Sequence, residues 1–241
     1  MTAQPPRIIG HRGAAGLAPE NTLAGFRKAA EIGLSWVEFD VHLSADGVPV
    51  LIHDDTLDRT TNGRGPVAKA DLAALKRLDA GSWFDPAFRG ETIPTLGETV
   101  SLLGQLGMSA VVEIKPSPGA EALTAEVAAS VLLAHWPTHL TPPILSSFSA
   151  ASLSRARDTA PALARGFLAR ELPRDWRTRI DSLGCSSVHL GAKQLDAVAV
   201  NSVIEAGLPV FAYTVNDAAQ AAELYGWGVS GVFSDRPDKI R

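Results

Sequence analysis

Short runs rich in β-branched residues alternate with stretches rich in Ala and Leu along the whole chain. Such alternation is typical of α/β folds with a parallel sheet, because each strand is followed by a helix that covers one face of the sheet. A closed barrel of this kind has eight strands and fits a chain of 241 residues. Nine segments nevertheless have the pattern of strands: Ile8–Gly10, Trp36–Leu43, Val48–His53, Ala110–Lys115, Ile144–Phe148, Ala164–Leu168, Ser187–Leu190, Val210–Val215 and Gly231–Ser234.

The third strand segment differs from the others in its connection. Only residues 44–47 separate it from the second segment, whereas parallel neighbours need a crossover of about a dozen residues or more. The dipeptide Asp46-Gly47 is instead typical of a tight hairpin turn. We therefore predict an antiparallel arm at 48–53 and an α/β fold with a single (β/α)8 TIM barrel and a hairpin after the second strand. The arm should return His53 to the level of Glu38 and Asp40.

A segment rich in Gly, Pro, Asp and Thr follows the hairpin. It runs for about forty residues, from 54 to 94, before a helix that is predicted to begin near Thr95. This length is too small for a separate core, so we predict a small insertion over the barrel mouth. Residues 1–241 are accordingly expected to form a single domain.

Charge and composition give no reason to expect a nucleic-acid partner or a stable association with a membrane. The net charge is −4, and the Lys and Arg residues are scattered rather than clustered. Cys185 is the single cysteine and cannot form an internal disulfide. No basic segment with an apolar run precedes the first strand, which favours a cytoplasmic protein. The expected oligomeric state is a monomer or a homodimer.

Charged residues share one side of two predicted strands. Because side chains alternate along a strand, Glu38 and Asp40 face one way and their apolar neighbours face the other. Glu113 and Lys115 have the same arrangement. We predict that the apolar residues pack beneath the outer helices and that the charged residues point into the lumen. They lie near the carboxyl ends of their strands, where active sites of such barrels are found.

These lumen charges admit two interpretations. In the first they form buried ion pairs, Arg12 with Asp40 and Glu113 with Lys115. The second starts from the mutual repulsion of the carboxylates of Glu38, Asp40 and Glu113, which a bound cation would relieve. We favour one divalent cation without an organic cofactor. Oxygen ligands indicate Mg²⁺ or Ca²⁺, with Mn²⁺ as a further candidate, rather than zinc.

Two histidines are expected at the same barrel mouth. His11 ends the first strand and His53 ends the hairpin arm. Imidazoles titrate near neutral pH, so a pair beside a cation suits general acid–base catalysis. Arg12 and Lys115 would add positive charge for a phosphate that bridges to the cation.

Other residues have less defined roles. Phe148, His189 and Tyr213 fall at or just past later strand ends, and we expect them to line the pocket. Asn21 is either the N-cap of a helix at 22–32 or a substrate contact, and Glu20 is similarly ambiguous. The remaining expectations concern residues outside the site: His42 faces away from Asp40, Asp217 caps the penultimate helix, and His135 and His139 lie on the surface.

Short motifs follow one another along almost the whole chain: His11-Arg12-Gly13, Pro19-Glu20-Asn21-Thr22, Glu38-Phe39-Asp40-Val41, His53-Asp54, Arg59-Thr60-Thr61, Ile93-Pro94-Thr95-Leu96, Glu113-Ile114-Lys115, Ser147-Phe148, Tyr213-Thr214-Val215-Asn216 and Ser234-Asp235-Arg236-Pro237. In this order they resemble the motifs of glycerophosphodiester phosphodiesterases of the bacterial cytoplasmic type, and the number of ordered blocks makes the resemblance specific. Two positions depart from the family pattern, because Tyr213 stands where Trp is frequent and Ser234 where Thr is frequent.

The resemblance implies a barrel of the phospholipase-C-like phosphodiesterase type. It also implies a reaction, the hydrolysis of small-molecule glycerophosphodiesters such as glycerophosphocholine or glycerophosphoethanolamine to sn-glycerol 3-phosphate and an alcohol. The implied roles are acid–base catalysis for His11 and His53, metal binding for Glu38, Asp40 and Glu113, and phosphate binding for Arg12 and Lys115.

Three other functions are kept as alternatives. A glycoside hydrolase would use two carboxylates, nominally Glu38 and Glu113, but would give the histidines no role. A non-catalytic binder of phosphorylated glycerol would have little need for both histidines. The third alternative is a related phosphodiesterase acting on lysophospholipid, although no exposed apolar loop or basic amphipathic helix predicts membrane docking.

Overall fold

The computed structural model describes residues 5–240. Eight parallel strands close into a barrel, because the first strand pairs with both the second and the last. The ninth strand is the antiparallel hairpin arm, in which Leu51 lies opposite Val41. The predicted TIM barrel with a hairpin after its second strand is therefore confirmed. The strands are β1 (Ile8–Gly10), β2 (Trp36–Leu43), β3 (Pro49–Leu51, the arm), β4 (Ser109–Ile114), β5 (Ile144–Ser147), β6 (Ala164–Ala169), β7 (Ser187–Gly191), β8 (Val210–Tyr213) and β9 (Gly231–Ser234).

Helices follow the barrel strands and cover the outside of the barrel. The helix predicted near Thr95 begins at Leu96, and Thr95 caps it through a reciprocal capping box with Glu98. Asp217 accepts a hydrogen bond from the Gln220 N–H and caps α8, which is the penultimate helix when the closing 3₁₀ turn is counted, as predicted. The helices are α1 (Leu23–Glu31), α2 (Leu72–Leu75), α3 (Leu96–Leu106), α4 (Glu121–His135), α5 (Ala150–Thr159), α6 (Trp176–Leu183), α7 (Ala197–Ile204) and α8 (Ala218–Gly226), with short 3₁₀ turns at Val67–Lys69, Pro86–Phe88 and Pro237–Lys239.

Apolar side chains at alternate positions of β2 pack in two different regions, one between the barrel and its helices and one inside the barrel. Val37, Phe39 and Val41 are fully buried against the helices that surround the barrel. Trp36 lies on the opposite side and packs inside the barrel with Phe233 and other large side chains. The lower lumen is thus filled with apolar groups, and the charged residues stand above this filling, toward the carboxyl ends of the strands.

The hairpin turn has the chemistry that the Asp46-Gly47 dipeptide predicts. Gly47 adopts a positive φ of 79°, and the Asp46 carboxylate accepts a hydrogen bond from the Ser44 hydroxyl. The arm is shorter than the predicted range 48–53. The arm ends at Leu51, whose N–H donates to the carbonyl of Pro94 at the end of the insertion.

The insertion over the mouth contains more buried apolar surface than its length suggested. Its residues Leu57, Val67 and Leu75 are buried in a small cluster together with Val50 and Ile52 of the arm. Because part of this cluster comes from the arm, the insertion is attached to the barrel through the hairpin that carries His53. None of the helices within residues 5–240 has the length and apolar character that a membrane-spanning helix requires.

Candidate active site

Three carboxylates meet at the barrel mouth. Glu38 and Asp40 project from β2, and Glu113 projects from β4 directly beside Asp40 in the strand register. One oxygen atom from each lies within 4.8 Å of the others. Asp40 is only 1% exposed and Glu38 only 5%. The predicted arrangement of these side chains on the lumen side is therefore present in the structure.

The carboxylates disturb one another's ionisation. Burial raises the pKa of Glu38, and the charges of Asp40 and Glu113 raise it further. Burial and the charge of Asp40 also raise the pKa of Glu113, to about 7. Burial opposes ionisation of Asp40 as well, but Arg12 and Lys115 outweigh it and lower the pKa of Asp40 to about 2. The positive charges of Arg12 and Lys115 therefore keep Asp40 ionised, but they do not offset burial and repulsion at Glu38 and Glu113.

Both ion pairs of the alternative interpretation are also present. The Arg12 Nε atom lies 3.3 Å from Asp40 Oδ2, and the Lys115 Nζ atom lies 3.2 Å from Glu113 Oε1. These contacts leave Asp40 Oδ1 buried without a hydrogen bond, 3.6 Å from the Lys115 ammonium. A buried anionic oxygen without a hydrogen-bonding partner is costly, and it is suited to bind a cation. The three-carboxylate cluster thus fits a divalent metal ion with oxygen ligands.

His11 is held at its Nδ1 atom by a carboxylate. Nδ1 lies 2.6 Å from Asp235 Oδ1, on the loop after β9, and a carboxylate can only accept, so Nδ1 carries the proton. The other nitrogen, Nε2, lies 3.8 Å from Glu38 Oε2. The ring thus presents Nε2 to the carboxylate cluster and can exchange a proton there.

His53 has the same arrangement. Its Nδ1 atom donates to Asp54 Oδ1 over 2.7 Å. Burial lowers the pKa of His53, while the nearby charge of Asp40 raises it in part. His11 and His53 therefore follow different strands but share one arrangement, with a carboxylate on Nδ1 and an Nε2 atom that makes no hydrogen bond within residues 5–240.

A second set of ion pairs connects the insertion to the barrel mouth. Arg59, in the insertion, donates to both oxygens of Glu20 and to both oxygens of Asp54. Glu20 in turn accepts from Arg12 at 2.9 Å. A continuous chain of charged contacts therefore runs from His53 through Asp54, Arg59 and Glu20 to Arg12. The sequence reasoning assigned no role to Asp54 or Arg59, although both lie in quoted motifs.

Asn21 does not cap a helix. Thr22 caps α1 by accepting from the Gly25 N–H, so of the two alternatives given for Asn21 the N-cap is wrong. Asn21 instead binds Asp40 twice, because its Nδ2 donates to Asp40 Oδ2 at 2.8 Å and its Oδ1 accepts from the Asp40 N–H at 3.1 Å. It adopts a positive φ of 55°, as does Arg12 with 50°. Such backbone strain is common where a site fixes a side chain.

The prediction that His42 faces away from Asp40 is also wrong. The two residues are two positions apart on β2, and side chains with that spacing share a side. His42 is 1% exposed, and its Nε2 lies 3.3 Å from the carbonyl oxygen of His53. It therefore supports the backbone of His53. His135 and His139 are exposed, as predicted.

A narrow cavity extends below the carboxylates, with about 290 Å³ of space between its wall atoms. His11, Glu38 and Glu113 form its polar wall, and His189 and Tyr213 lie among its other lining residues. His189 is fully buried between Phe211 and Phe233, and burial lowers its pKa to about 3. The ring is therefore neutral and packs within the barrel, and its Nε2 atom lies 3.0 Å from Ser187 Oγ.

Tyr213 and Phe148 form an aromatic corner at the mouth. The Tyr213 hydroxyl donates to the carbonyl of Ala169 at 3.0 Å, so this hydroxyl is bound to the end of β6. The ring of Phe148 packs perpendicular to that of Tyr213 with centroids 6.2 Å apart. Phe148 remains 50% exposed. The corner is thus an apolar surface that borders the carboxylate cluster.

Comparisons with known proteins agree with this geometry. The model of the glycerophosphoryl diester phosphodiesterase family matches residues 11–239. An Oleispira antarctica phosphodiesterase, solved in complex with the product sn-glycerol-3-phosphate, is 44% identical with a TM-score of 0.95, and the match covers 98% of this chain and 95% of that chain. A glycerophosphodiester phosphodiesterase of Caldanaerobacter subterraneus is 34% identical over 97% of this chain and 95% of the relative. The protein YhdW of Bacillus subtilis is 38% identical over 97% of this chain and 96% of its own length.

The predicted family resemblance is confirmed by these matches, which cover nearly all of both partners in each pair. These relatives give no support to the alternatives of a glycoside hydrolase or a non-catalytic binding protein. The chain belongs to the glycerophosphoryl diester phosphodiesterase family and is a phosphoric diester hydrolase.

Proposed function

We propose that this enzyme hydrolyses small glycerophosphodiesters to sn-glycerol 3-phosphate and an alcohol, with a divalent cation and with His11 and His53 as the general acid and base. The observation that carries the proposal is the pair of histidines, each with a carboxylate on Nδ1, beside three crowded carboxylates. The relative solved with sn-glycerol-3-phosphate supports the identity of the product.

Glu38, Asp40 and Glu113 would hold the cation, Mg²⁺ or Ca²⁺ being favoured by their oxygen atoms and Mn²⁺ being a further candidate. When bound, a divalent cation supplies positive charge that stabilises a phosphate oxygen as negative charge develops on it. Asn21 keeps Asp40 in position through its two hydrogen bonds. No organic cofactor is needed for this chemistry.

Arg12 and Lys115 would bind the phosphate group of the substrate. Both already flank Asp40, at 3.3 Å and 3.6 Å, so their positive charges point at the centre of the cluster. Fixed cations there favour a transition state in which charge accumulates on phosphate oxygens. The contact of Arg12 with Glu20 fixes the direction of its guanidinium.

The two histidines divide the proton transfers. One Nε2 atom removes a proton from the nucleophile, which is either water or the neighbouring hydroxyl of the glycerol group, and the other Nε2 atom protonates the oxygen of the departing alcohol. If the glycerol hydroxyl attacks, a water molecule opens the resulting cyclic phosphate in a second step, with the roles of the two histidines exchanged. Asp235 and Asp54 keep Nδ1 protonated in the two rings, so Nε2 is the nitrogen available in each. The glycerol portion would occupy the narrow cavity beside His189 and Tyr213, and Phe148 would border the alcohol.

The test is release of glycerol 3-phosphate from glycerophosphocholine, read through a coupled glycerol-3-phosphate dehydrogenase, before and after treatment with chelator. We expect release that disappears with chelator and returns with Mg²⁺ or Ca²⁺. His11→Asn and His53→Asn should each lower turnover by roughly 10²–10⁴. His135→Asn, at an exposed position, is the matched control.

Two outcomes would contradict the proposal. Full release in the presence of chelator would show that the reaction needs no metal ion. Near-normal turnover of both folded histidine variants would show that neither histidine acts as the general acid or base. Lysophosphatidylcholine should be included as a substrate, because preference for it would favour the lysophospholipid alternative over deacylated substrates. Binding of glycerol 3-phosphate without any turnover would favour a binding protein.

A further inference from the structure

A second and wider cavity opens beside the carboxylate cluster. It shares Glu113 with the narrow inner cavity and has about 590 Å³ of empty space, part of it open to solvent, against about 290 Å³ measured in the same way for the inner one. We call it the outer groove, and the residues that line it are Asp55, Glu113, Ile114, Lys115, Pro116, Ser147, Phe148 and Ser149. The narrow cavity suits a fixed small group such as glycerol, whereas the open groove has room for a variable alcohol.

Asp55 brings an uncompensated negative charge to the outer groove. Its side chain is exposed and makes no hydrogen bond or ion pair with any of residues 5–240. Its backbone is nevertheless well anchored, because the Asp55 carbonyl accepts from the Val67 N–H and Thr56 pairs with Pro66 as an isolated bridge. A carboxylate on an anchored backbone, without a partner in the protein, is available to a ligand.

The positive charge at the inner end of the groove is directed elsewhere. The Lys115 ammonium lies 3.2 Å from Glu113 and 3.6 Å from Asp40, so it faces the carboxylate cluster. Of the two charged groups, Lys115 is thus held at the cluster, whereas Asp55 belongs to the solvent-exposed lining of the groove. A substrate that matches these two charges has its negative phosphate at Lys115 and a positive group near Asp55.

Phe148 gives the groove an aromatic wall. Half of its side chain is open to solvent, although its ring is fixed by the perpendicular contact with Tyr213. Aromatic faces attract ammonium groups, and quaternary ammonium groups in particular bind to aromatic rings. The Ser147 hydroxyl is engaged within the fold, because it donates to the Ile114 carbonyl, and the Ser149 oxygen accepts from the Ser152 N–H, so only the O–H of Ser149 remains as a donor. This leaves little hydrogen-bonding capacity for a polyol.

We propose that the outer groove is a head-group subsite that selects cationic alcohols, of the ethanolamine or choline type, through Asp55 and Phe148. This inference rests on the function proposed above. In such substrates two carbon atoms separate the ester oxygen from the nitrogen, so a phosphate held at Lys115 places the ammonium group farther along the same groove. Neutral alcohols such as glycerol or inositol could donate a hydrogen bond to Asp55, but they would lack the attraction between opposite charges.

The experiment compares kcat/KM for glycerophosphocholine and glycerophosphoethanolamine with that for glycerophosphoglycerol. Asp55→Asn removes the charge and keeps the shape, and Phe148→Leu removes the ring and keeps an apolar side chain. We expect each substitution to lower the ratio of kcat/KM for the cationic substrates to kcat/KM for glycerophosphoglycerol about two- to fivefold. Asp181→Asn, an exposed aspartate on α6 without side-chain partners, controls for the change in net charge.

The outcomes separate this inference from the proposed function. Equal loss for cationic and neutral substrates in Asp55→Asn, or no loss at all, would overturn the subsite while leaving the reaction intact. Wild-type enzyme that prefers glycerophosphoglycerol would overturn it as well. An absence of hydrolysis for all three substrates would overturn the proposed function and the subsite together.

Discussion

The Nδ1 atom of His11 lies 2.6 Å from the Oδ1 atom of Asp235, and this contact joins the first strand of the barrel to the loop after the last one. The second oxygen of Asp235 accepts from Asn216 Nδ2 at 2.9 Å. The amide of Asn216 cannot turn around, because its Oδ1 accepts from the N–H groups of Asp235 and Arg236 and from the Ser234 hydroxyl. Both oxygens of Asp235 are therefore required to accept hydrogen bonds.

Replacement of Asp235 by Asn should put the wrong tautomer on His11. The oxygen of the new amide must face Asn216, so its NH₂ group must face His11 and turn Nδ1 into an acceptor. The proton then moves to Nε2, where it blocks general-base action. We expect kcat to fall by about 10- to 100-fold, by analogy with the loss of outer-shell partners of histidine ligands.

The control for this substitution is Asp238→Asn, in the next turn, where the carboxylate binds Arg236 instead of a histidine. KM should change little in either variant, because Asp235 does not touch the substrate. An unchanged kcat and an unchanged pH profile in Asp235→Asn would show that the contact serves the fold alone.

Arg59 offers a second test, at the other histidine. It holds Asp54 and Glu20 with paired hydrogen bonds, and Lys cannot reproduce this geometry. Arg59→Lys should therefore loosen Asp54 against His53 and Glu20 against Arg12, and should lower kcat/KM about tenfold. Its free energy of unfolding should change by only about 1 kcal/mol, because the side chain is largely exposed.

The matched control is Arg155→Lys, since Arg155 also donates two hydrogen bonds to a carboxylate, Glu126, on the helical surface. Steady-state kinetics and urea unfolding of both variants give the comparison. Equal losses of stability without a difference in kcat/KM would mean that Arg59 only fastens the insertion to the barrel.

The sequence was sufficient for the barrel and for the position of the carboxylates, because both depend on simple periodicities. The alternation of Val37, Glu38, Phe39 and Asp40 places charges in the lumen, and the Asp46-Gly47 turn makes the arm antiparallel. Both follow from local rules that tertiary structure did not override.

The supporting contacts of the site were harder to predict. Asn21 has the residue type of a cap, but the neighbouring Thr22 performs that function and frees Asn21 for Asp40. The pair of His11 and Asp235 joins residues from opposite ends of the chain, and no spacing within one sequence indicates such a contact. His42 is a different case, since correct use of the two-residue period places it beside Asp40.

Glu113 provides a test of the metal site that does not depend on activity. Glu113→Gln removes one of three mutually repelling carboxylates, and with it one ligand. The metal-free variant should be at least as stable as the wild type, because repulsion with Asp40 is relieved. The rise in Tm that Mg²⁺ or Ca²⁺ produces in the wild type should shrink in the variant.

The control for this experiment is Glu223→Gln, at an exposed position on α8. Titration of each ion into chelator-treated protein measures affinity directly. An identical rise in Tm for Glu113→Gln and wild type would exclude Glu113 from the ligands of the cation.

His189 should make the enzyme less stable in mild acid. Burial lowers its pKa to about 3 in the folded state, whereas the ordinary value is about 6.5. Between these values the unfolded chain binds a proton that the folded chain does not, so stability falls as the pH is lowered from about 6.5 toward 3. This one group should cost about 2 kcal/mol between pH 7 and pH 5.

His189→Gln keeps a polar side chain next to Ser187 and removes the titration. The variant is expected to be less stable than the wild type at pH 7, because its side chain fits the aromatic surroundings of Phe211 and Phe233 less well. That deficit should shrink by about 2 kcal/mol at pH 5, where only the wild type carries the cost of a neutral buried imidazole. Urea unfolding at the two pH values measures the difference, and His139→Gln, at an exposed histidine, should show the pH dependence of the wild type. Parallel stability curves for His189→Gln and wild type would mean that His189 is protonated to the same extent in the folded and unfolded chains.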